Sequence, residues 1–153
     1  MNDSDYDRPV DIATSQVKFL VVDDDQVSVM AIKRALKKLK ILNPVAVAKD
    51  GVQALEILRG SSGEGEFLPP YLVTLDLNMP RMDGLEFLEE VRKDPKLHKA
   101  VIFVLSTSDA PSDIAGAYEK NIAGYIVKDD LGDSYMKALD MIDTYSRIVE
   151  LPQ

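Results

Sequence analysis

The 153-residue sequence contains no cysteine. That excludes a disulfide framework, a thiolate metal site and a thiol nucleophile, and it suits the cytoplasm, the expected location. Basic charge is also in short supply. Eighteen Lys and Arg face 26 Asp and Glu, for a formal net charge of −8. Phosphate contacts need clustered cations, so neither nucleic acid nor an anionic membrane is an expected partner. No apolar run approaches the ~20 residues of a membrane helix. The opening Met1-Asn-Asp-Ser-Asp lacks the basic start and apolar run of a signal peptide. Histidine is nearly missing: His98 stands alone in the polar stretch Lys96-Leu-His-Lys99 and is expected to be exposed and without a role. What remains is an ordinary globular balance, 46% hydrophobic and 29% charged, on a length that suits one domain.

Residues 1–15 are polar and acidic without periodicity, and read as a flexible tail. Val17 to Val22 is a short apolar run that ends in Asp23-Asp24-Asp25, the pattern of a buried strand. Val27, Met30, Ala31, Ala35, Leu36 and Leu39 follow at helical spacing and predict a helix over about 26–40, stopped by Asn43-Pro44. Residues 45–48, 71–75, 101–105 and 124–127 read as four more short strands. Helices are expected over Val52, Leu55, Ile57 and Leu58 with an end near Arg59-Gly60, after Asp83-Gly84, over 114–121 and over about 132–148. The third of these four is expected to begin at Pro111 behind a polar cap. Gly60-Ser-Ser-Gly-Glu-Gly reads as a flexible loop. The order is βα repeated five times. It predicts an α/β fold with a five-stranded parallel sheet, doubly wound, with helices on both faces.

Ligands of such sheets bind beyond the carboxyl ends of the strands, at a topological switch point. The first strand ends in Asp23-Asp24-Asp25, the third in Asp76, the fourth in Ser106-Thr107 and the fifth in Lys128. Carboxylates packed together repel and raise one another's pKa values, and a divalent cation relieves that. Oxygen-only ligands select a hard ion, and a few carboxylates with remaining waters suit Mg2+, with Mn2+ as a substitute. One carboxylate can then act as nucleophile and form an acyl phosphate. A lysine and a hydroxyl can hold the other phosphoryl oxygens. Against this stand simpler uses: Asp76 as a turn residue, Ser106 as a helix cap, Lys128 as a surface lysine, the triple Asp as a solvated run. The triple Asp does not follow the Asp-x-Asp-x-Asp-Gly order of an EF-hand loop.

Taken in order, Phe19-Leu-Val-Val-Asp23-Asp24, Leu75-Asp76-Leu-Asn78-Met-Pro80-Arg-Met-Asp83-Gly84, Val104-Leu-Ser106-Thr-Ser and Gly124-Tyr125-Ile-Val-Lys128 resemble the receiver domain of two-component response regulators. The resemblance covers about residues 17–149 and implies a flavodoxin-like (βα)5 fold, like that of chemotaxis regulators, with a single receiver domain over 16–153. It implies that Asp76 accepts phosphate from a sensor histidine kinase or a histidine phosphotransfer protein. Asp24 would bind Mg2+ directly, Asp23 mainly through water, and Asn78 through its backbone carbonyl. Lys128 would pair first with Asp76 and then with the phosphate. Ser106, beside Thr107, would hydrogen-bond the phosphoryl group, and Tyr125 would change rotamer with it. Pro80 and Gly84 would shape the loop after Asp76. The protein would be a switch rather than an enzyme, with at most slow autodephosphorylation.

Two features depart from the family pattern. Asp129 stands where a proline usually follows the lysine. A non-proline cis peptide costs about 3–4 kcal/mol, so trans is expected there. The loop over 60–70 is several residues longer than the family minimum. That loop and the ending from Ile142 to Pro152 are similar to stand-alone response regulators that partner bacterial phytochromes, which implies a phytochrome kinase as partner and compatibility with a homodimer. With no DNA-binding module in the sequence, the expected output is contact with a downstream protein or phosphate relay. Two alternatives remain open. One is a haloacid-dehalogenase-type phosphatase, with Asp23 as nucleophile in Asp23-Asp24-Asp25-Gln26-Val27, Ser106 as its second-motif hydroxyl and Asp129-Asp130 as its acidic pair. The other is a degenerate receiver that binds partners without phosphorylation.

Overall fold

The computed structural model describes residues 16–63, 65–128 and 133–153. The expected tail and the Lys128–Asp129 junction lie outside them. Among the described residues, five strands form one parallel sheet: β1 (Lys18–Val22), β2 (Val45–Ala48), β3 (Tyr71–Leu75), β4 (Val101–Ser106) and β5 (Gly124–Val127). The helices are α1 (Gln26–Lys38), α2 (Gly51–Arg59), α3 (Gly84–Lys93), α4 (Pro111–Glu119) and α5 (Asp133–Ile148). The strand order is β2-β1-β3-β4-β5, the flavodoxin-like arrangement. The chain steps from β1 outward to β2, then returns to the other side of β1 for β3. That reversal puts the switch point between β1 and β3.

The period of two along each strand splits the core between the two faces. Leu20, Val22, Val73, Leu75, Ile102 and Val104 point one way, and pack with Leu58, Phe87, Leu88 and Val91 of α2 and α3. Phe19, Val21, Leu72, Phe103 and Leu105 point the other way, against Ile32 and Leu36 of α1 and Leu139 and Ile142 of α5. Side chains buried on both faces explain why the strands read as continuous apolar runs.

Local chemistry sets the helix ends. Asp25, Asp50 and Asp83 are N-caps, each accepting from a backbone N–H of the first turn. Asp83 and Glu86 complete a reciprocal capping box. Gly60 closes α2 at φ 76°, the left-handed conformation that costs glycine least.

The helices differ from the sequence pattern in two details. Val27 and Met30, which share the helical spacing, are 61% and 53% exposed. The buried stripe of α1 is Ser28, Ile32, Ala35 and Leu36, and its apolar members pack with Phe19, Val21, Leu139 and Ile142. The residue before Pro111 is Ala110, which offers no side-chain cap. The polar group stands two residues earlier: Ser108 Oγ accepts from the Ala110 N–H and donates to Asp113.

At the amino ends of the strands, Arg92 of α3 donates to four backbone carbonyls. They belong to His98, Ala100, Lys120 and Asn121, at 2.7–3.0 Å. This one side chain ties α3 to the entries of β4 and β5.

Candidate functional site

At the carboxyl ends, β1 and β3 run side by side with Val22 opposite Leu75. The residues that follow are Asp23 and Asp76, and the Asp76 N–H donates to Val22 O at 2.9 Å. Parallel pairing therefore places the two carboxylates next to each other. Carboxylate oxygens of Asp23, Asp24 and Asp76 lie within 4.8 Å of one another. Asp23 and Asp76 are buried, and Asp24 is exposed.

The sheet brings the other two strand ends alongside. Lys128, with 8% of its side chain exposed, pairs with Asp23: Nζ to Oδ2 is 3.2 Å. Its expected partner was Asp76. Lys128 acts on Asp76 through charge rather than a hydrogen bond, while its Nζ also stands 6.0 Å from the Tyr135 ring centroid. Ser106 is fully buried. Its Oγ accepts from the Ser108 N–H at 3.2 Å. The Ser108 carbonyl in turn accepts from the half-buried Tyr125 hydroxyl at 2.8 Å. Thr107 and Asn78 are exposed, and the Asn78 N–H donates to Asp76. His98 is exposed at the opposite end of the sheet, as expected.

Burial pushes the Asp76 carboxyl up to about 6; Lys128 opposes that rise, and Asp23 adds to it. Burial also raises Asp23, more than the Asp25 N–H and Lys128 lower it. Burial alone would depress Lys128, but Asp23 and Asp76 raise it. Two buried carboxylates share one buried ammonium, and a third carboxylate stands beside them. Such a set is short of positive charge, and its donors are all oxygen. It fits a hard divalent cation such as Mg2+.

Sequence reasoning missed two features here. Asp25, given no role of its own from the sequence, accepts from the Val27 N–H and the Ser28 hydroxyl and starts α1. Arg81, in the loop after Asp76, reaches Asp50 at the start of α2 with Nε to Oδ2 at 2.8 Å. The one available signal was Asp50-Gly51, which marks a helix start but names no partner.

Comparison with known proteins agrees with this geometry. Residues 19–140 match the family model described as response regulator receiver domain. The response regulator Rcp1 of a Synechocystis strain is 31% identical over 135 residues, covering 87% of this chain and 91% of that protein. The phosphorylated cyanobacterial phytochrome response regulator RcpA superposes with a TM-score of 0.80 at 29% identity, covering 90% of this chain and 99% of that one. The Mn2+-bound form of Rcp1 does so at 0.77, again at 29% identity and with the same coverage.

Proposed function

The chain belongs to the response regulator receiver domain family, the signalling switches of two-component systems, and we propose that Asp76 is its phosphoacceptor. The observation that carries this reading is the meeting of Asp23, Asp24 and Asp76 within 4.8 Å, with Lys128 ion-paired among them. Asp24, Asp76 and the Asn78 carbonyl would hold Mg2+ directly, and Asp23 mainly through water. Mn2+ suits the same oxygens, and is the ion in the Rcp1 structure. When bound, the ion neutralises charge on the carboxylates and on the phosphoryl oxygens.

The residues of the chain do the rest. An Asp76 oxygen attacks the phosphorus of a phosphohistidine; the new O–P bond forms as the N–P bond breaks, and the imidazole leaves. Lys128 moves from Asp23 toward the phosphoryl oxygens. Ser106 turns its hydroxyl toward the same group and gives up the Ser108 N–H. Ser108 holds the Tyr125 hydroxyl through its carbonyl, so Tyr125 is released as Ser108 shifts. The face of α4, β5 and α5 changes shape with it, and a downstream protein reads that face.

The donor is a sensor histidine kinase or a histidine phosphotransfer protein. The likeness to Rcp1 and RcpA favours a phytochrome kinase and is compatible with a homodimer. The reading makes residues 16–153 one receiver domain in the cytoplasm, with no turnover beyond slow autodephosphorylation. Among the described residues, no helix is long and apolar enough to cross a membrane. The phosphatase alternative is not favoured, because the family match spans 19–140.

Incubation with acetyl phosphate and Mg2+, followed by intact-mass measurement, tests the reading. The wild type should gain one phosphoryl group, and Asp76→Asn should gain none. No gain from either acetyl phosphate or a cognate kinase would sink it. Label trapped on Asp23 with sustained ester turnover would favour the phosphatase.

A further inference from the structure

The loop from Leu77 to Asp83 carries Asn78, and it is pinned at three points. Gly84 N–H donates to Leu77 O at 2.8 Å and closes the loop on itself. Gly51 N–H donates to Met82 O at 3.2 Å, joining the loop to the first residue of α2. The third point is a fork. Arg81 Nε donates to Asp50 Oδ2 at 2.8 Å and Nη2 to Oδ1 at 3.0 Å. Asp50 also caps α2, accepting from the Gln53 N–H at 2.8 Å. Its side chain is only 3% exposed, whereas that of Arg81 is 55% exposed.

The backbone pays for this geometry. Arg81 sits at φ 64°, where a residue with a Cβ is strained, and Met82 N–H folds back to Pro80 O at 2.7 Å. A lone exposed arginine gains nothing from that conformation. A bidentate pair to a buried carboxylate does, because both oxygens are satisfied in one plane.

We propose that Arg81 is a positioning residue for the phosphoacceptor site: its fork on Asp50 locks the Leu77–Asp83 loop, and so fixes the Asn78 carbonyl for the divalent cation. The inference deepens the proposed function and rests on it for the ion alone. The lock itself is a property of the metal-free chain. It ties the site to the start of α2, an element that supplies none of the proposed ligands.

The test uses the full chain and two readouts: Mn2+ affinity by electron paramagnetic resonance, and metal-free amide exchange of residues 77–83. Arg81→Met keeps the Cβ and the strained backbone but removes the fork. It should weaken Mn2+ binding at least fivefold and speed exchange in the loop. Arg81→Lys, with charge but no fork, should fall between. Asp50→Asn retains an acceptor for the α2 cap, and should match Arg81→Met. Adding it to Arg81→Met should cost little more, since both remove one interaction. Arg59→Met breaks the ion pair to Asp94 at the opposite end of the sheet and is the control for general loss of stability. It should leave Mn2+ affinity unchanged. Affinities within twofold of wild type in both Arg81→Met and Asp50→Asn would overturn the proposal, as would unchanged loop exchange. A wild type that failed to bind Mn2+ would remove the proposed function instead, and exchange would still decide the lock.

Discussion

Asp23, Asp24 and Asp25 are chemically identical, and their neighbours give them different work. Asp23 is buried against Lys128, Asp24 is exposed at the edge of the cluster, and Asp25 starts a helix. The sequence displays the run and the strand before it, which is enough to place acid at the end of β1. It does not say which aspartate turns inward, because that depends on where α1 begins. The partner of Lys128 was hidden for a similar reason. Asp23 and Asp76 are adjacent buried carboxylates, and side-chain placement rather than sequence decides that Lys128 Nζ bonds Asp23. Asp76 itself carries a measurable cost. Its folded pKa is raised to about 6, so the native state holds its proton more tightly than the unfolded chain does. Above pH 6 the charged form opposes folding; below the ordinary carboxylate value both states are neutral and the effect vanishes. Asp76→Asn should therefore stabilise the metal-free protein by about 1–3 kcal/mol at pH 7.5. The gain should shrink as pH falls from 6 toward 4. Urea melts in a chelator at both ends of that range check the sign; a destabilised variant at pH 7.5 would contradict it.

The elements were the most legible part. Five apolar runs and the helices between them follow from simple periodicity, and their ends from Pro, Gly and Asp. The rotation of α1 was not legible. Val27 and Met30 satisfy a helical spacing as well as Ile32 and Leu36 do, and packing against the sheet and α5 breaks the tie. The start of α4 at Pro111 was legible but its cap was not, since Ser108 works through space from outside the usual cap position. Glycines show a further distinction that sequence cannot draw. A Cβ on Gly84 would lie 2.6 Å from Leu77 Cα and 2.7 Å from Asp76 O, both backbone atoms that cannot swing away. A Cβ on Gly51 would lie 2.7 Å from Met82 Cγ, part of a flexible side chain. Gly84→Ala should cost about 2 kcal/mol or more, and lower the acetyl phosphate reaction at least tenfold by displacing Asp76. Gly51→Ala should cost clearly less. Urea denaturation and intact mass of both variants decide the order, and equal losses would show that the α3 start is not the tighter contact.

At the scale of the molecule, the strand order turns five scattered chain positions into one site. The βα alternation made the sheet readable, and the sheet made the site readable, because parallel strands deliver all their carboxyl ends to one edge. The lock between Arg81 and Asp50 escaped because it joins two loops, and loops have no period. A cation that binds the native cluster and not the unfolded chain must stabilise the whole molecule by mass action. At ten times its dissociation constant, free Mg2+ should add about 1.4 kcal/mol. For a chain of this size that is a rise in Tm of about 3–6 °C. Calorimetry with Mg2+ and then excess chelator tests this, with Asp24→Asn as the variant that should lose most of the shift. An unchanged Tm at saturating Mg2+ would argue against a native ion site.

The carboxyl edge of the sheet gathers formal charges around Lys128, whereas at its opposite edge one cation is held by neutral groups. There Arg92 donates to four neutral carbonyls and, among the described residues, to no carboxylate. Contacts of a cation with neutral dipoles act over a few ångströms, inside the reach of any counterion cloud, whereas the exposed Asp24 is open to screening. Ionic strength should thus tune the proposed phosphoacceptor edge and leave the Arg92 contacts as they are.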